Sequence, residues 1–479
     1  MDLSHQKILF VSAEAIPFAK TGGLGDVAGA LPYALKKLGA DVRVVIPKYK
    51  CVSQKYMDES KIVAEFPVYL EWRKQFAHVH EYEASVPVYF IENDNYFDRD
   101  DGLYGYEDDH ERFAFFCKAV LDMLPRIGFK PDIIHCNDWQ TGPICLLLKE
   151  KYHEDLYYRS ISTLYTIHNI QYQGIFGKEV LDLLGVPDWC FNPEGVEFYG
   201  NVSYMKAGLV YSDAINTVSN TYAEEIKTSQ YGYGLEGVLQ KRSNALYGII
   251  NGIDYEAFNP ETDTSLYVPY SKESFYLKKE NKKRLQKDLG LPQKDVPMIG
   301  LISRLVDQKG LNLIAEKMHD LMQEDIQFVV LGTGQYQYEE MFKHMQNTFP
   351  EKVSANILFN LDLAQKIYAS SDLFLMPSLF EPCGLGQLIS LRYGTIPIVR
   401  KTGGLADTIQ AFDEATCRGN GFVFDNFNSD EMLGEIKRAL KVYQDKDKWK
   451  LLIENAMDSD YSWEDSAKKY IELYKRIQE

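Results

Sequence analysis

Short apolar runs rich in Val and Ile alternate with helix-length segments along the first half of the chain, a pattern typical of a parallel sheet wound with helices. This series predicts strands at residues 7–12, 41–47, 86–91, 131–136, 163–168 and 213–219. A second series begins near residue 297 and predicts strands at residues 298–303, 327–331, 356–360, 372–377, 395–400 and 421–425. Because the pattern occurs twice, the sequence predicts two successive α/β domains.

The connection between the two series begins at residues 251–254 and continues through a polar stretch to residue 283, where turn residues replace the apolar periodicity. Near the C-terminus, aromatic and apolar residues recur at helical spacing and predict an amphipathic helix with one buried face. These residues are Trp463, Ala467, Tyr470 and Tyr474. The expected organisation is a first domain over residues 1–250, a second domain over residues 251–458 and a C-terminal helix over residues 459–479.

Length, charge and cysteine usage narrow the class of protein. The 479 residues exceed the roughly 250 to 300 at which single cores stop growing. A net charge of −17 argues against nucleic-acid or acidic-membrane partners, because clustered Lys and Arg bind phosphate groups.

Seven scattered cysteines indicate reduced thiols in a cytoplasmic protein, and no apolar run is long enough to span a membrane. Without a C-x-x-C or H-E-x-x-H motif, no protein-held metal is expected.

A glycine-rich phrase, Lys20-Thr-Gly-Gly-Leu-Gly-Asp26, follows the first predicted strand and opens a helix-like run. Glycines let the backbone approach a ligand closely, and a helix N-terminus presents unpaired N–H groups to an anion. The alternative is a tight turn that carries a surface lysine. Nearly the same phrase, Lys401-Thr-Gly-Gly-Leu-Ala-Asp407, follows the predicted strand at residues 395–400. Because ligands of open parallel sheets bind beyond the carboxyl ends of strands, we expect each domain to contribute a glycine loop to one shared site.

Charged side chains follow two strands of the second series. Arg304 and Lys309 flank a turn between a strand and a helix, where two cations could bind a diphosphate and neutralise charge on a leaving group. Solvated surface cations are the alternative. Glu381 lies between two prolines in a Gly-rich turn, which suits a ligand with many hydroxyl groups. A structural Glu that caps the next helix is the alternative there.

Polar side chains also follow two consecutive strands of the first series. Asp138 comes directly after one strand, and His168 with Asn169 ends the next. Polar groups at neighbouring strand ends tend to line a cleft, although a lone His is more often a hydrogen-bonded core residue.

Taken together, these and several other motifs resemble the bacterial glycogen synthase and plant starch synthase family, in the family's order and along nearly the whole chain. The motifs are Lys20-Thr-Gly-Gly-Leu24, His135-Cys-Asn-Asp-Trp139, His168-Asn169, Gly234-Leu-Glu-Gly237, Asn251-Gly-Ile-Asp254, Ser303-Arg304, Gln308-Lys309-Gly310, Glu381-Pro-Cys-Gly-Leu385, Thr402-Gly-Gly-Leu405 and Tyr461-Ser-Trp463. Each motif is weak alone, and their combination is highly specific.

The resemblance implies a GT-B glycosyltransferase with two Rossmann-like domains facing each other across a cleft, and a C-terminal helix that crosses back to the first domain. It implies transfer of glucose from ADP-glucose to the non-reducing 4-OH of an α-1,4-glucan, with retention of configuration and without a metal. The implied partners are therefore ADP-glucose and a glucan such as glycogen, and no cofactor is implied. The oligomeric state is not predicted.

The resemblance also implies roles for individual residues, and the four expected catalytic residues are Glu381, His168, Lys309 and Arg304. Arg304 and Lys309 are expected to contact the diphosphate, and Glu381 is expected to hold the hydroxyl groups of the donor glucose. His168 is expected to lie against the reacting sugar, with its backbone carbonyl near the anomeric carbon. The expected substrate-binding residues are Lys20, Gly23, Asp26, Tyr104, Asp138, Asn169, Asn251, Phe359, Cys383, Gly384, Leu385 and Gly386.

Three positions depart from the usual pattern of the family. Asn137 stands where His is usual, Gly386 replaces the usual Thr, and Phe359 occupies the position expected of an adenine-stacking Tyr. Two alternative functions stay open at this point: a related transferase that uses UDP-glucose or a small acceptor, and a glucan-binding protein with a decayed site. The joint presence of the catalytic candidates argues against the second.

Overall fold

The computed structural model describes residues 6–479, and its internal contacts divide the chain into two compact units. The first unit contains the described residues up to Gly252 together with Trp463–Glu479, and the second contains Ile253–Ser462. Each unit is built on a large sheet of mainly parallel strands with helices packed against it. The α/β prediction is therefore confirmed.

The first unit contains twelve strands among its described residues. They are β1 (Lys7–Val11), β2 (Asp41–Pro47), β3 (Lys61–Leu70), β4 (Arg73–Tyr82), β5 (Val88–Glu92), β6 (Ile133–Asn137), β7 (Ser162–Ile167), β8 (Ile175–Phe176), β9 (Glu197–Phe198), β10 (Asn201–Ser203), β11 (Ala214–Thr217) and β12 (Leu246–Gly248). Its helices before the second unit are α1 (Gly23–Lys37), α2 (Gln54–Asp58), α3 (Asp94–Phe97), α4 (Asp109–Arg126), α5 (Gly142–Glu150), α6 (Val180–Leu184), α7 (Tyr204–Tyr211), α8 (Asn220–Glu225) and α9 (Glu236–Lys241).

The main sheet of the first unit has the strand order β12-β11-β7-β6-β1-β2-β5-β4-β3. The strands from β12 to β5 pair in parallel, whereas β4 and β3 form an antiparallel hairpin that extends the edge at β5. The central strand β1 is apolar on both faces, with Ile8, Leu9 and Phe10 fully buried. Continuous apolar strands of this kind form because helices cover both faces of a parallel sheet.

The hairpin β3–β4 lies outside the strands that the sequence predicts. In β3, the buried residues Phe66, Val68 and Leu70 alternate with an exposed Tyr69, so only one face of the strand is covered. Pro67 interrupts the run and argues against a central strand, but it is tolerated here because β3 is the edge strand of the sheet.

The second unit contains the strands β13 (Met298–Ile302), β14 (Gln327–Leu331), β15 (Val353–Asn356), β16 (Leu373–Met376), β17 (Ile396–Arg400) and β18 (Phe422–Phe424). Its helices are α10 (Lys278–Asp288), α11 (Leu311–Gln323), α12 (Tyr336–Thr348), α13 (Leu361–Ser370), α14 (Gly386–Arg392), α15 (Gly403–Thr408), α16 (Ser429–Gln444) and α17 (Lys446–Asp458). The sheet is parallel throughout, in the order β15-β14-β13-β16-β17-β18. Numbered within the unit, this order is 3-2-1-4-5-6, the arrangement of a Rossmann domain.

Most predicted strands agree with the observed strands to within two residues at each end. The exception is the strand predicted at residues 356–360, which is wrong, because β15 runs from Val353 to Asn356. Val353 is buried and pairs with β14, whereas the apolar side chains of Leu358 and Phe359 are exposed beyond the end of the strand. The prediction failed because apolar residues in an exposed loop give the same sequence pattern as a buried strand.

The last helix, α18 (Trp463–Gln478), belongs to the first unit and packs against α1 and β7. Its buried face includes Trp463, Ala467, Tyr470 and Tyr474, so the predicted amphipathic helix is confirmed. The hydroxyl of Tyr474 lies 2.7 Å from Nδ1 of His135, and Nε2 of the same ring lies 2.6 Å from Oγ1 of Thr166. His135 is thus a hydrogen-bonded core residue that joins the helix to the sheet.

The seven cysteines are all free thiols, and five of them are buried. No helix in the described part of the chain is long and apolar enough to cross a membrane.

Candidate active site

Three of the four catalytic candidates lie at the point where the strand order of the second unit reverses. Arg304 and Lys309 follow β13, and Glu381 follows β16, which is the neighbour of β13. Ligands of Rossmann domains bind at the carboxyl ends of strands on either side of such a reversal. A pocket of about 230 Å³ lies there, and all three side chains line it together with Ser303, Ser378 and Gly384–Gly386.

Lys309 and Glu381 form a buried ion pair in this pocket. Nζ of Lys309 lies 2.6 Å from Oε2 of Glu381, and the two side chains are only 17% and 9% exposed. The hydroxyl of Ser378 donates a second hydrogen bond to the same oxygen at 3.1 Å. The side chain of Arg304, by contrast, is exposed and makes no ion pair within residues 6–479. The pocket therefore offers an available guanidinium, a paired ammonium and a fixed carboxylate.

The turn that carries Glu381 is held through its backbone carbonyls. Arg400, at the end of β17, is 6% exposed and donates from Nε to the carbonyl of Ser378 at 2.8 Å, and its Nη2 donates to the carbonyl of Leu379. Gln308 donates from Nε2 to the carbonyl of Phe380 at 3.2 Å, and its own carbonyl accepts from the N–H of Leu379. The loop after β13 and the turn after β16 are therefore joined directly.

The second glycine-rich phrase, at residues 401–407, supports the same turn. The N–H of Gly404 donates to the carbonyls of Glu381 and Pro382 at 3.0 and 3.1 Å. A Cβ atom on Gly403 would lie 2.0 Å from the carbonyl oxygen of Glu381, and Gly403 adopts a left-handed φ of +44°. This copy of the phrase therefore packs against the protein's own backbone, whereas the sequence led us to expect a ligand-binding loop.

The remaining candidates of the second unit differ in their positions. Gly384, Leu385 and Gly386 line the pocket, and α14 begins at Gly386 beside it. Cys383 is buried in the same turn. Phe359 is 80% exposed on the loop after β15, which is separated from β13 by β14, and it does not line the pocket. The described residues thus bring together all the second-unit candidates except Phe359.

The first unit has its own reversal of strand order, between β1 and β6. Glu14 lies in the loop after β1 and is 3% exposed. Its carboxylate accepts hydrogen bonds from the N–H and hydroxyl of Thr21, both at 2.6 Å, and from the N–H of Gly22 at 3.1 Å. The hydroxyl of Tyr104 donates to the same carboxylate at 2.8 Å. Glu14 therefore shapes the first glycine loop and joins it to Tyr104.

The first glycine loop leads directly into α1, which begins at Gly23. A Cβ atom on Gly22 or Gly23 would meet no atom within 4 Å among the described residues. Nζ of Lys20 lies 2.6 Å from Oδ1 of Asp26, and these side chains are 44% and 28% exposed. The loop therefore presents open backbone and a lysine that a ligand could reach.

Asp138 and His168 meet at the ends of β6 and β7. Oδ1 of Asp138 accepts hydrogen bonds from the backbone N–H groups of His168 at 2.7 Å and Asn169 at 3.4 Å. Burial raises the pKa of Asp138 to about 7, and these two N–H groups oppose part of that rise. Burial lowers the pKa of His168 to about 3, so its imidazole is neutral at physiological pH.

Asn169 and Asn251 complete the first-unit candidates. Oδ1 of Asn169 accepts a hydrogen bond from the N–H of Gln171 at 3.0 Å, which closes a local turn. Asn251 is 5% exposed, and its Oδ1 has no hydrogen-bond partner within the described chain. A buried amide oxygen without a partner is costly, and this oxygen is enclosed by the protein in this structure.

Sequence reasoning did not identify Glu14, Asn137 or Arg400 as contributors to these sites. Oδ1 of Asn137 accepts a hydrogen bond from Nε2 of His168 at 2.9 Å, although Asn137 was noted only as a departure from the family pattern. The position of these residues was the available signal: Asn137 and Arg400 end parallel strands, and Glu14 lies three residues after the end of β1. Among residues 6–479 there is no group of three or more His, Cys, Asp or Glu that could hold a metal ion.

Comparison with known proteins gives matches along the whole chain. Residues 7–241 match the family described as the starch synthase catalytic domain, and residues 281–456 match glycosyl transferases group 1. Glycogen synthases of Desulforudis audaxviator and Clostridioides difficile are each 53% identical to this chain. The alignments cover 99% and 98% of this chain and 97% and 99% of the two relatives. This chain belongs to the glycogen and starch synthase family.

A solved structure of this family agrees with that assignment, and a second solved structure shares the fold. The catalytic domain of starch synthase IV from Arabidopsis thaliana, bound to ADP and acarbose, is 35% identical and superposes with a TM-score of 0.91. The match covers 99% of this chain and 100% of the plant domain. Sucrose-phosphate synthase from Thermosynechococcus elongatus, at 16% identity and a TM-score of 0.61, shares the fold. The predicted GT-B fold and hexosyltransferase class are therefore confirmed.

Proposed function

We propose that the protein transfers glucose from ADP-glucose to the non-reducing 4-OH of an α-1,4-glucan, with retention of the anomeric configuration. The main support is the arrangement of Arg304, Lys309 and Glu381 around one pocket at the strand reversal of the second unit. The family relationship supports the choice of a glucan as acceptor. The ADP bound to the plant starch synthase domain supports an adenine nucleotide as the leaving group.

The proposed chemistry follows from the charges in this pocket. Cleavage of the bond between sugar and phosphate places negative charge on the departing diphosphate and positive charge on the anomeric carbon. Cations fixed beside the diphosphate stabilise this transition state more than the ground state. We assign this role to Arg304 and Lys309. Glu381 would accept hydrogen bonds from hydroxyl groups of the donor glucose.

The number of carboxylates in the pocket favours a substitution in which the acceptor attacks the face of the sugar that the diphosphate leaves. Retaining hydrolases use two carboxyl groups about 5 Å apart, one of them a nucleophile. In the described part of the pocket, Glu381 is the only carboxylate, and Lys309 pairs with it. We therefore propose that the leaving diphosphate accepts the proton of the acceptor hydroxyl while the new bond forms on the same face.

The two parts of the chain would have different ligands. In this proposal, residues 251–458 bind the nucleotide sugar through the pocket described above, residues 1–250 bind the glucan acceptor, and residues 459–479 form the helix that returns to the first domain. Lys20, Asp138, His168 and Asn169 are the proposed substrate contacts of the first domain, with Gly23, Asp26 and Tyr104, and Asn251 is a proposed contact at the start of the second domain. The free cysteines agree with a proposed location in the cytoplasm.

A donor assay tests the proposal. Purified protein is incubated with glycogen and either ADP-glucose or UDP-glucose carrying labelled glucose, and label is measured in the polymer. We expect incorporation from ADP-glucose and a much lower rate from UDP-glucose. Equal rates would reject the donor assignment, and no incorporation from either donor would reject the function.

Two substitutions test the assigned pocket. Glu381→Gln and Lys309→Met should each lower kcat by roughly a hundredfold, since one well-placed charge contact contributes about 3 kcal/mol to the transition state. Lys282→Met is a matched control, because Nζ of Lys282 also lies 2.6 Å from a buried carboxylate, that of Asp372. Asp372 precedes β16, at the opposite edge of the sheet, so this control should lower stability without changing kcat. Unchanged turnover in both pocket variants would reject the site.

A further inference from the structure

Asn137 holds its side-chain amide in a single orientation. It ends β6, is fully buried, and donates from Nδ2 to the carbonyl of Val11 at 2.9 Å and to that of His135 at 3.3 Å. A carbonyl oxygen can only accept hydrogen bonds, so the NH₂ group must face these two carbonyls. The amide oxygen of Asn137 must therefore face the opposite way, toward His168.

The orientation of the amide determines where the proton of His168 lies. Nε2 of His168 is 2.9 Å from Oδ1 of Asn137, and an amide oxygen cannot donate. Nε2 must then carry the proton. Because burial keeps the pKa of His168 near 3, the ring has one N–H group at neutral pH, and Nδ1 carries none.

Nδ1 of His168 is available to a ligand. It has no hydrogen-bond partner among the described residues, and it is not one of the fully enclosed unpaired polar atoms. The backbone N–H of His168 is held by Asp138, so the residue is fixed at both its backbone and its ring. Two other titratable groups lie near His168: Asp138, which accepts from its backbone N–H, and His135, whose two nitrogens already bond to Tyr474 and Thr166.

We propose that Asn137 is a positioning residue that fixes His168 as the tautomer protonated at Nε2, so that Nδ1 accepts a hydrogen bond from a hydroxyl group of the bound carbohydrate. The nature of the ligand rests on the proposed function, whereas the tautomer does not. A hydroxyl group can donate to such a nitrogen, and a sugar presents several of them. The departure of Asn137 from the usual His is then a different way to orient the same ring.

The tautomer can be measured directly in the intact protein. Nitrogen chemical shifts are recorded at pH 7 for protein labelled with ¹⁵N-histidine, and the signals of His168 are assigned by their loss in His168→Gln. We expect a protonated Nε2 and an unprotonated Nδ1. A proton on Nδ1, or averaging between the two tautomers, would overturn the proposal. In Asn137→Ala, both tautomers should be populated.

Kinetics test whether this fixed tautomer matters for transfer. Asn137→Ala should lower kcat/KM by about tenfold or more, since small losses of alignment have effects of this size. Asn216→Ala is the matched control: Asn216 is another fully buried asparagine, on the nearby strand β11, and donates to the hydroxyl of Tyr470 at 3.0 Å. It should lower stability with kcat/KM per folded molecule within about twofold of the wild type. Equal effects of the two substitutions on kcat/KM would mean that Asn137 has only a structural role, and this result would reject the proposal.

A pH profile provides an independent reading. Asn137→Asp keeps an acceptor beside Nε2 but places a carboxylate there, which favours the protonated imidazolium and gives Nδ1 a proton. Transfer by this variant should therefore fall more steeply than transfer by the wild type as the pH decreases, because His168 becomes charged in addition to the titration of Asp138 near pH 7 that both proteins share. A folded Asp variant with the wild-type profile would count against the proposal. If the variant does not fold, the nitrogen spectrum of the wild type decides.

These measurements separate the two claims. A wild-type protein that transfers no glucose in the donor assay rejects the proposed function, and the nitrogen spectrum still confirms or rejects the tautomer. An active wild type with the wrong tautomer rejects only the role of Asn137.

Discussion

Gly22 and Gly23 of the first glycine-rich phrase adjoin open space, whereas the equivalent Gly403 and Gly404 of the second pack against the protein's own backbone. In the first copy, Gly22 and Gly23 have no described atom within 4 Å of an added Cβ. In the second copy, the added Cβ atoms of Gly403 and Gly404 would lie 2.0 Å from the carbonyl oxygens of Glu381 and Cys383. The same short sequence thus serves as an exposed loop in one unit and as a support for a neighbouring turn in the other.

The difference shows what glycine contributes in each setting. A glycine beside open space allows a ligand to approach the backbone, and a glycine beside a carbonyl allows two segments of the chain to approach each other. The groups that hold the two copies in place differ as well. The buried carboxylate of Glu14 organises the first loop, while the backbone of the second copy itself donates to the turn of Glu381. This comparison is tested by substitutions that are expected to affect one copy but not the other.

The largest effect is expected for Gly403→Ala. The left-handed φ and the contact with the carbonyl of Glu381 should lower the free energy of unfolding of the second unit by about 3 kcal/mol or more. Gly22→Ala, where the backbone is extended, should change stability by less than about 0.5 kcal/mol. Gly434→Ala, in the middle of α16 with nothing near its Cβ, should stabilise the unit by about 0.5 to 1 kcal/mol. Urea unfolding measures all three, and equal stability of Gly403→Ala and Gly22→Ala would contradict the comparison.

The next effect concerns the support of the first copy. Glu14→Gln replaces an oxygen that accepts hydrogen bonds by an NH₂ group, which would face donors on Thr21, Gly22 or Tyr104. We expect a loss of about 1 to 3 kcal/mol in the free energy of unfolding of the first unit, together with slower transfer. Glu197→Gln is the control, because Glu197 accepts a single exposed bond from the N–H of Gly200. A wild-type unfolding curve for Glu14→Gln would show that the loop does not depend on this carboxylate.

A pH effect is expected from the first unit and can be isolated with Asp138→Asn. The folded pKa of Asp138, about 7, is above its ordinary value, so the folded state binds more protons than the unfolded state between about pH 4 and 7. Its contribution to stability is therefore present at low pH and decreases as the pH rises through that window. The lowered pKa of His168 acts in the opposite direction, so the comparison must be made between wild type and variant.

Asn at position 138 can still accept from the N–H groups of His168 and Asn169, and it does not titrate. The wild type should therefore lose about 1 to 2 kcal/mol relative to Asp138→Asn between pH 4.5 and 7.5, allowing for the partial exposure of the side chain. Unfolding curves at the two pH values measure the difference. Parallel pH dependences of the two proteins would show that Asp138 is ionised throughout this range.

The smallest effects on stability are expected at the lysines that begin the two copies. Lys20 pairs with Asp26, and Lys401 lies 3.4 Å from Asp425, and both lysine side chains are largely exposed. Lys20→Met and Lys401→Met should each change the free energy of unfolding by less than about 0.5 kcal/mol. Only Lys20→Met should slow glucose transfer, by about tenfold, because Lys20 is a proposed substrate contact and Lys401 is not. Equal kcat/KM values for the two variants would remove Lys20 from the proposed site.

Much of the fold could be predicted from the pattern of apolar residues. Five of the six strands of the second sheet and six of the seven parallel strands of the first come from short apolar runs, whereas β12, whose residues are only partly buried, was not predicted. The hairpin β3–β4 was missed because it is covered on one face only, and because Pro67 marks an edge strand. The end of β15 was misjudged because Phe359 is apolar but 80% exposed.

Part of the candidate site could also be predicted from the sequence, for a similar reason. Arg304, Lys309 and Glu381 were identified because parallel strands place the residues that follow them at one edge of the sheet. Asn137 and Arg400 were missed because their partners are distant in sequence, as is Tyr104, one partner of Glu14. Arg400 binds carbonyls 21 and 22 residues away, and Asn137 binds a ring 31 residues away. No spacing along the chain indicates such contacts.

The sequence by itself determined the number of units, the parallel order of strand and helix, and the set of charged residues at strand ends, because these depend on local periodicity and short-range spacing. Only the tertiary structure decided which glycine phrase adjoins open space, which carboxylate pairs with Lys309, and which nitrogen of His168 carries the proton. The physical reason is that hydrogen bonds and close contacts depend on positions within a few tenths of an ångström, and those positions are set by segments that meet only in the folded chain.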